Sequence, residues 1–207
     1  MNTDYIKKLL ACMAEVMQEN KELLIEYDSV VGDGDLGLTM SDGFNAASDK
    51  IASSTETDIG KMLYFAGKAM STAVPSTMGT LMASGFMQAG KALKGKEELT
   101  NEELVTLFEA YEEGVANRGK AKIGDKTFLD GLHPAVESLK ENITKVSLHE
   151  AATLAAKAAE DGYENTATML AVHGRAATRG EASRSLKDPG AYVAVLMMKA
   201  FEKSCVD

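Results

Sequence analysis

Asp28, Asp33 and Asp35 stand at the spacing D-x4-D-x-D in the stretch Tyr27–Gly37, interleaved with Gly32, Gly34 and Gly37. Glycines permit backbone angles that other residues avoid, so carboxylates in such a stretch can converge on one point. Three chemistries compete. The glycines match G-x-G-x-x-G, but a dinucleotide loop of that type follows a strand in a βαβ unit. Here a long helical pattern precedes it, and Asp33 and Asp35 would turn two negative charges toward a pyrophosphate. A calcium loop of EF-hand type needs a bidentate Glu at its last position. Counting from Asp28 that position is Thr39, and counting from Asp33 it is Phe44. The third chemistry is a divalent cation held by the carboxylates and gripping phosphate oxygens, which suits magnesium better than an all-protein cage. Acidic residues in a phosphate-binding loop make electrostatic sense when a metal supplies the positive charge. Spacing alone leaves this reading open beside a solvated acidic turn with helix-capping aspartates.

A metal–phosphate site needs further donors, and three stretches offer them. Thr72–Thr80 leads small hydroxyl residues into a helix start, whose free amides carry a partial positive charge. Arg118–Thr127 is a basic, glycine-containing loop, and His173–Gly180 carries Arg175 and Arg179, side chains able to clamp phosphate. Taken singly, each also reads as a capped helix start, a solvated turn or basic residues at a helix C-terminus. Covalent chemistry has little support: His133, His149 and His173 are far apart and none is paired with a nucleophile.

The elements that must position these residues are helical. Ile6, Leu9, Leu10, Met13, Val16 and Met17 recur at three- and four-residue spacing. Thr100 with Glu103 and Ser147 with Glu150 are capping boxes, and Asp188-Pro189 sets a capping oxygen before a proline suited to the first helical turn. The pattern predicts eight helices, over 4–26, 38–52, 57–73, 78–95, 101–118, 127–143, 148–174 and 189–204, with a kink or late start at Pro134. No period-two strand appears. Short connections favour antiparallel neighbours in one bundle, a single domain over 1–207, with glycine clusters gathered at its rims.

Composition narrows the partners. The chain of 207 residues has 22 Lys and Arg against 31 Asp and Glu, a net charge of −9, which repels a nucleic-acid backbone. No apolar stretch approaches the ~20 residues of a membrane span, and MNTDYIKKLL lacks the apolar core of a signal peptide. Neither nucleic acid nor membrane is expected. Of the two cysteines, Cys12 falls on an apolar helix face and reads as a small buried hydrophobe, and a reducing cytoplasm fits. The twelve methionines read as core filler.

Taken in order, Asp28-Ser29-x-x-Gly32-Asp33-Gly34-Asp35-x-Gly37, Arg118-Gly119-Lys120-Ala121 with Gly124-Asp125-Lys126-Thr127, Gly174-Arg175-Ala176 and Asp188-Pro189-Gly190-Ala191 resemble the dihydroxyacetone kinase L-subunit family (DhaL). The resemblance covers essentially the whole chain. It implies an all-α, antiparallel eight-helix barrel with a nucleotide, ADP or ATP, at one rim. It implies that Asp28, Asp33 and Asp35 ligate two Mg²⁺ ions bridging the phosphates and, with Arg175, form the catalytic set. It places Leu36, Gly37, Leu38 and Thr39, with Thr77 and Met78, near the phosphates. Gly119 and Phe128 then border the nucleotide, Arg175 approaches it, and Asp188, Pro189 and Gly190 belong to a capping loop. The implied partners are a K subunit carrying the ketose covalently on a histidine and a phosphotransferase-system M subunit fed by phosphoenolpyruvate. A homodimer stays open.

The chain departs from the family pattern twice. Leu36 stands where the family's loop usually has a histidine, and Met78 where its glycine–serine stretch has a hydroxyl. These departures bear on phosphate positioning. They keep two rival expectations in view: an ATP-dependent kinase subunit for another ketose such as erythrulose, and a non-catalytic, nucleotide-dependent transcriptional co-regulator.

Overall fold

The computed structural model describes residues 1–206, which form nine α-helices and two 3₁₀ segments with no strand. The all-α expectation holds, but Asn20 divides the helix expected over 4–26. α1 (Thr3–Glu19) ends there and α2 (Lys21–Val31) begins at once. The Asn20 side-chain amide donates to the Val16 carbonyl at 2.8 Å, so the residue closes α1 with its own side chain, a competition with the backbone typical of Asn. α2 buries only Leu24 and Val31.

α3 (Leu36–Ala52), α4 (Ile59–Ala73), α5 (Thr77–Ala92), α6 (Asn101–Gly119), α7 (Phe128–Asn142) and α9 (Pro189–Ser204) lie close to their expected ranges. The Thr127 capping box starts α7, so Pro134 does not delay it. The Asp130 carbonyl, which Pro134 cannot pair, lies against Gly162 of α8, where a Cβ would stand 2.3 Å from it. α8 (Leu148–Asn165) stops short of residue 174. Beyond it the chain makes a 3₁₀ turn (Thr166–Thr168) and an extended passage, then a 3₁₀ segment (Arg175–Ser183) kinked at Gly180. Tertiary bonds override helix propensity here: the Val172 N–H donates to the Asp125 carbonyl at 3.2 Å, and the Ala171 N–H to Ser183 Oγ at 3.1 Å.

From α3 to α7 each helix packs on its successor, α7 and α8 both pack on α9, and α9 returns to α1, which packs on α3. The ring is therefore closed. Its interior is filled by leucines, methionines and edge-on aromatic pairs, Phe44 with Phe86, Phe86 with Tyr111, and Phe108 with Phe201. No helix among the described residues is long and apolar enough to cross a membrane. Short connections alternate the helix directions from α3 to α8, so α3, α5 and α7 start at the same end of the ring, and α9 starts there too, since a Cβ on Gly190 would stand 3.3 Å from the Phe128 backbone N.

Candidate functional site

Those four starts meet in one cleft of about 820 Å³. Leu36 opens α3, Thr77 and Met78 open α5, Phe128 and Leu129 open α7, and Pro189 and Gly190 open α9, and all of them line it. Each helix start has backbone N–H groups without intrahelical partners and a partial positive charge, so the cleft is built to receive an anion. The caps are ordinary: Ser76 Oγ accepts from the Gly79 N–H at 3.0 Å, and Asp188 Oδ2 from the Ala191 N–H at 2.7 Å.

The acidic loop lines the same cleft. Asp28 sits on the last turn of α2, and its Oδ2 accepts from the N–H groups of Gly34 (2.9 Å) and Leu36 (3.3 Å), which folds the loop back over the helix end. Gly34 has φ +75°, a conformation side chains rarely adopt, and a Cβ on Gly32 would stand 2.2 Å from Asp28 Oδ1. The result is that one carboxylate oxygen from each of Asp28, Asp33 and Asp35 lies within 4.8 Å of the others. Burial raises the Asp28 pKa, the two backbone N–H groups oppose that, and the charges of Asp33 and Asp35 push it further up. Three carboxylates gathered this closely can hold a cation, and an all-oxygen set with room for phosphate oxygens beside it fits Mg²⁺. Arg175 already contributes one positive charge, its Nη2 lying 2.5 Å from Asp33 Oδ2.

The end of α6 and the loop that follows it also line the cleft. Arg118, Gly119 and Ala121 line the cleft, while Asp125 accepts from the Lys122 N–H at 2.8 Å and pairs with His173 Nε2 at 3.0 Å. The Lys122 amide first, with His173 helping, lowers the Asp125 pKa. Lys126 also borders the cleft, yet it is 2% exposed and its ammonium is directed at backbone carbonyls of the 166–188 segment.

With this geometry in view, a family match is informative: the DAK2 domain matches residues 30–203. The chain belongs to the DAK2 domain family. Over 198 residues this DAK2 chain is 35% identical to the ADP-binding subunit DhaL of the PEP-dependent dihydroxyacetone kinase of Escherichia coli K12, covering 95% of this chain and 94% of that one. An ADP-binding subunit DhaL of Listeria innocua is 32% identical over 197 residues, covering 95% and 94%. The L-erythrulose 1-kinase of Mycolicibacterium smegmatis is 30% identical over 197 residues, covering 94% of this chain and 34% of its own length. Among solved structures, the dihydroxyacetone kinase of C. freundii in complex with AMP-PNP and Mg²⁺ shares the fold, with a TM-score of 0.70 and 24% identity over 96% of this chain and 33% of that one.

Most of the site residues expected for the DAK2 chain meet in the cleft: Asp28, Asp33, Asp35, Leu36, Thr77, Met78, Gly119, Phe128, Arg175, Asp188, Pro189 and Gly190. Gly37, Leu38 and Thr39 do not line it. Gly37 faces α2, where a Cβ would stand 2.1 Å from the Lys21 carbonyl. Leu38 is exposed elsewhere, and the buried Thr39 gives its N–H to the Asp35 carbonyl at 3.0 Å. The Leu36 side chain is 4% exposed and belongs to the core, so at the cleft the residue acts through its backbone. Sequence reasoning missed Ser76 as the cap of α5 and the internal use of Lys126. The Ser-x-x-Gly spacing signalled the first; nothing in the pattern signalled the second.

Proposed function

We propose that this chain is the nucleotide-holding, phosphoryl-donor subunit of a dihydroxyacetone kinase, working in the cytoplasm with a ketose-carrying K subunit. Its nucleotide is ADP, recharged by a phosphoenolpyruvate-dependent M subunit. The observation that carries this reading is the meeting of three carboxylates with four helix starts in one cleft. Carboxylates alone would repel a nucleotide, and helix starts alone would bind any small anion. Together they fit an anion that arrives with its own hard cations. The near-full-length similarity to DhaL subunits supports the choice of ADP and of dihydroxyacetone.

Phosphoryl transfer depends mainly on alignment and on neutralising the charge of the transferred group. When bound, two Mg²⁺ ions held by Asp28, Asp33 and Asp35 would supply most of that neutral balance. The chain's own residues do the rest. The Gly34 and Leu36 amides hold the Asp28 carboxylate toward the cleft. The α5 start at Thr77 and Met78 presents amides to the phosphates, and the α7 start at Phe128, whose ring is packed in the core, borders the nucleotide. Arg175 is placed to pass from Asp33 to a phosphate oxygen. No covalent centre on this chain is needed, because the group passes directly to the partner-bound ketose.

The test is reconstitution with the K and M subunits of a PEP-dependent dihydroxyacetone kinase, Mg²⁺, phosphoenolpyruvate and a panel of ketoses that includes erythrulose. The expected result is dihydroxyacetone phosphate, formed without added ATP. Formation of sugar phosphate with ATP alone would overturn the recharging scheme. No sugar phosphate in any combination would overturn the kinase reading and favour a purely regulatory protein.

A further inference from the structure

Lys126 is a buried ammonium to which the proposed reaction gives no task. Its Nζ donates to the Met169 carbonyl at 3.3 Å, to the Ser183 carbonyl at 2.5 Å and to the Leu186 carbonyl. A lysine ammonium has three N–H donors and no acceptor, so all of its capacity is spent on main-chain oxygens. None remains for a phosphate, although the residue borders the cleft. Its backbone is as unusual as its side chain: φ is +64°, in the left-handed region that L residues other than Gly, Asn and Asp seldom occupy. Such a conformation persists where the surroundings over-determine it, and it collects at functional sites.

The three carbonyls come from both ends of one arm. Met169 lies just after the α8 terminus, while Ser183 and Leu186 lie just before α9. Between them the arm carries Arg175, and two residues beyond Leu186 comes Asp188. Other bonds hold the arm as well: the Ala171 N–H donates to Ser183 Oγ, Arg184 Nη1 to the Thr168 carbonyl, the Val172 N–H to the Asp125 carbonyl and the Asp188 N–H to Thr166 Oγ1, and His173 pairs with Asp125. Arg175 and Arg179 reach the acidic loop, on Asp33 and the Val30 carbonyl, and both are exposed. Gly174 and Gly180, at φ +66° and +54°, have no atom within 4 Å of where a Cβ would stand. The Lys126 ammonium thus joins the Ala171–Ser183, Arg184–Thr168 and Asp188–Thr166 bonds in drawing the two ends of the arm together beside the cleft, and as a charged member of that set it takes oxygens from both ends at once.

We infer that Lys126 is a positioning residue, a cationic pin that holds the Met169–Leu186 arm so that Arg175 and Asp188 stand at the cleft. The inference rests on the nucleotide reading for the purpose of the pin, but the pin itself is testable without any nucleotide. Lys126 acts through the arm and does not touch the phosphates.

The experiment compares wild type with Lys126→Met, which keeps length and bulk but removes the charge and the donors. Limited trypsin digestion without ligand reads cleavage after Arg175, Arg179 and Arg184, and circular dichroism reads the helical content. Calorimetry then reads Mn²⁺ binding alone and ADP binding in the presence of Mg²⁺. Expected are unchanged helical content, arm cleavage accelerated about tenfold, Mn²⁺ affinity within about twofold, and ADP affinity lowered about tenfold or more, the scale of losing one charge-assisted hydrogen bond. Lys126→Arg, which keeps charge and donors, is expected to restore slow cleavage. Where Lys126→Met loses its helical signal, Lys126→Gln is read in the same way. Unchanged cleavage overturns the pin and leaves the nucleotide reading standing. Faster cleavage with unchanged ADP affinity overturns the positioning role. A wild-type chain that binds no ADP sinks the nucleotide reading by itself, whatever the arm does.

Discussion

Arg175 rests its guanidinium on the Asp33 carboxylate, Nη2 to Oδ2 at 2.5 Å, so a cation from the arm before α9 occupies one of the three acids of the α2–α3 loop. That pair has consequences of opposite sign. A divalent ion at Asp33 competes with Arg175, whereas a phosphate beside the ion attracts it. Arg175→Ala is therefore expected to tighten Mn²⁺ binding a few-fold while weakening ADP in Mg²⁺ about tenfold, as loss of one charge-assisted contact does. Both partners are well exposed, so the pair is worth only about 0–1 kcal/mol to folding and the melting temperature should barely move. Calorimetry with each ligand, beside a thermal melt, checks all three.

Gly32 tests the geometry of the acid cluster without removing an acid. Its φ of −125° is outside the left-handed region, and what a side chain there meets first is lack of space. A Cβ would stand 2.2 Å from Asp28 Oδ1. Gly32→Ala is expected to push that carboxylate off its position and weaken Mn²⁺ binding by at least about tenfold, the scale of lost ligand positioning at a metal site. Denaturant titration should show little change in stability.

Asp188 makes folding depend on pH. Burial pushes its carboxyl up to about 7, with Asp130 adding to the rise and the Ala191 amide and Lys126 opposing it. In the unfolded chain an Asp titrates near ~3.9. The folded state therefore holds this proton more tightly, and the Asp188 contribution to stability declines as pH rises from ~4 through about 7. Asparagine caps helices as well as aspartate does. Asp188→Asn should thus remove that declining component, so its melting temperature gains on wild type at pH 8 relative to pH 5. Parallel melts across that range are the check.

Leu36 is the position where the family resemblance suggests a histidine donor. Its side chain is 4% exposed and packed in the core. Leu36→His should cost about 1–3 kcal/mol from burying a polar ring without a partner and leave ADP affinity no better than wild type. Chemical denaturation and calorimetry decide it.

The helical content, the caps at Thr100, Ser147 and Asp188, and the acid cluster were all legible in the sequence, because periodicity and capping are local signals. The break at Asn20 was harder to read, since the apolar pattern runs through it and only one side-chain bond to Val16 ends α1. The end of α8 at Asn165 was not legible at all. An alanine-rich run favours helix, and what draws residues 169–172 out of it is bonding to Asp125, Lys126 and Ser183, distant in sequence. The same distance hid Lys126, whose motif suggests a phosphate donor while its ammonium faces inward. Gly37 reads as part of a phosphate loop until its backbone is seen against Lys21.

The most direct test of the central claim, that Asp28, Asp33 and Asp35 bind a nucleotide through divalent ions, is calorimetric titration of ADP with and without Mg²⁺, in wild type and Asp33→Ala. The account predicts binding to wild type only when Mg²⁺ is present, and its loss in the folded Asp33→Ala variant. Equal ADP affinity in EDTA, or undiminished Mg²⁺-dependent binding in Asp33→Ala, would contradict it.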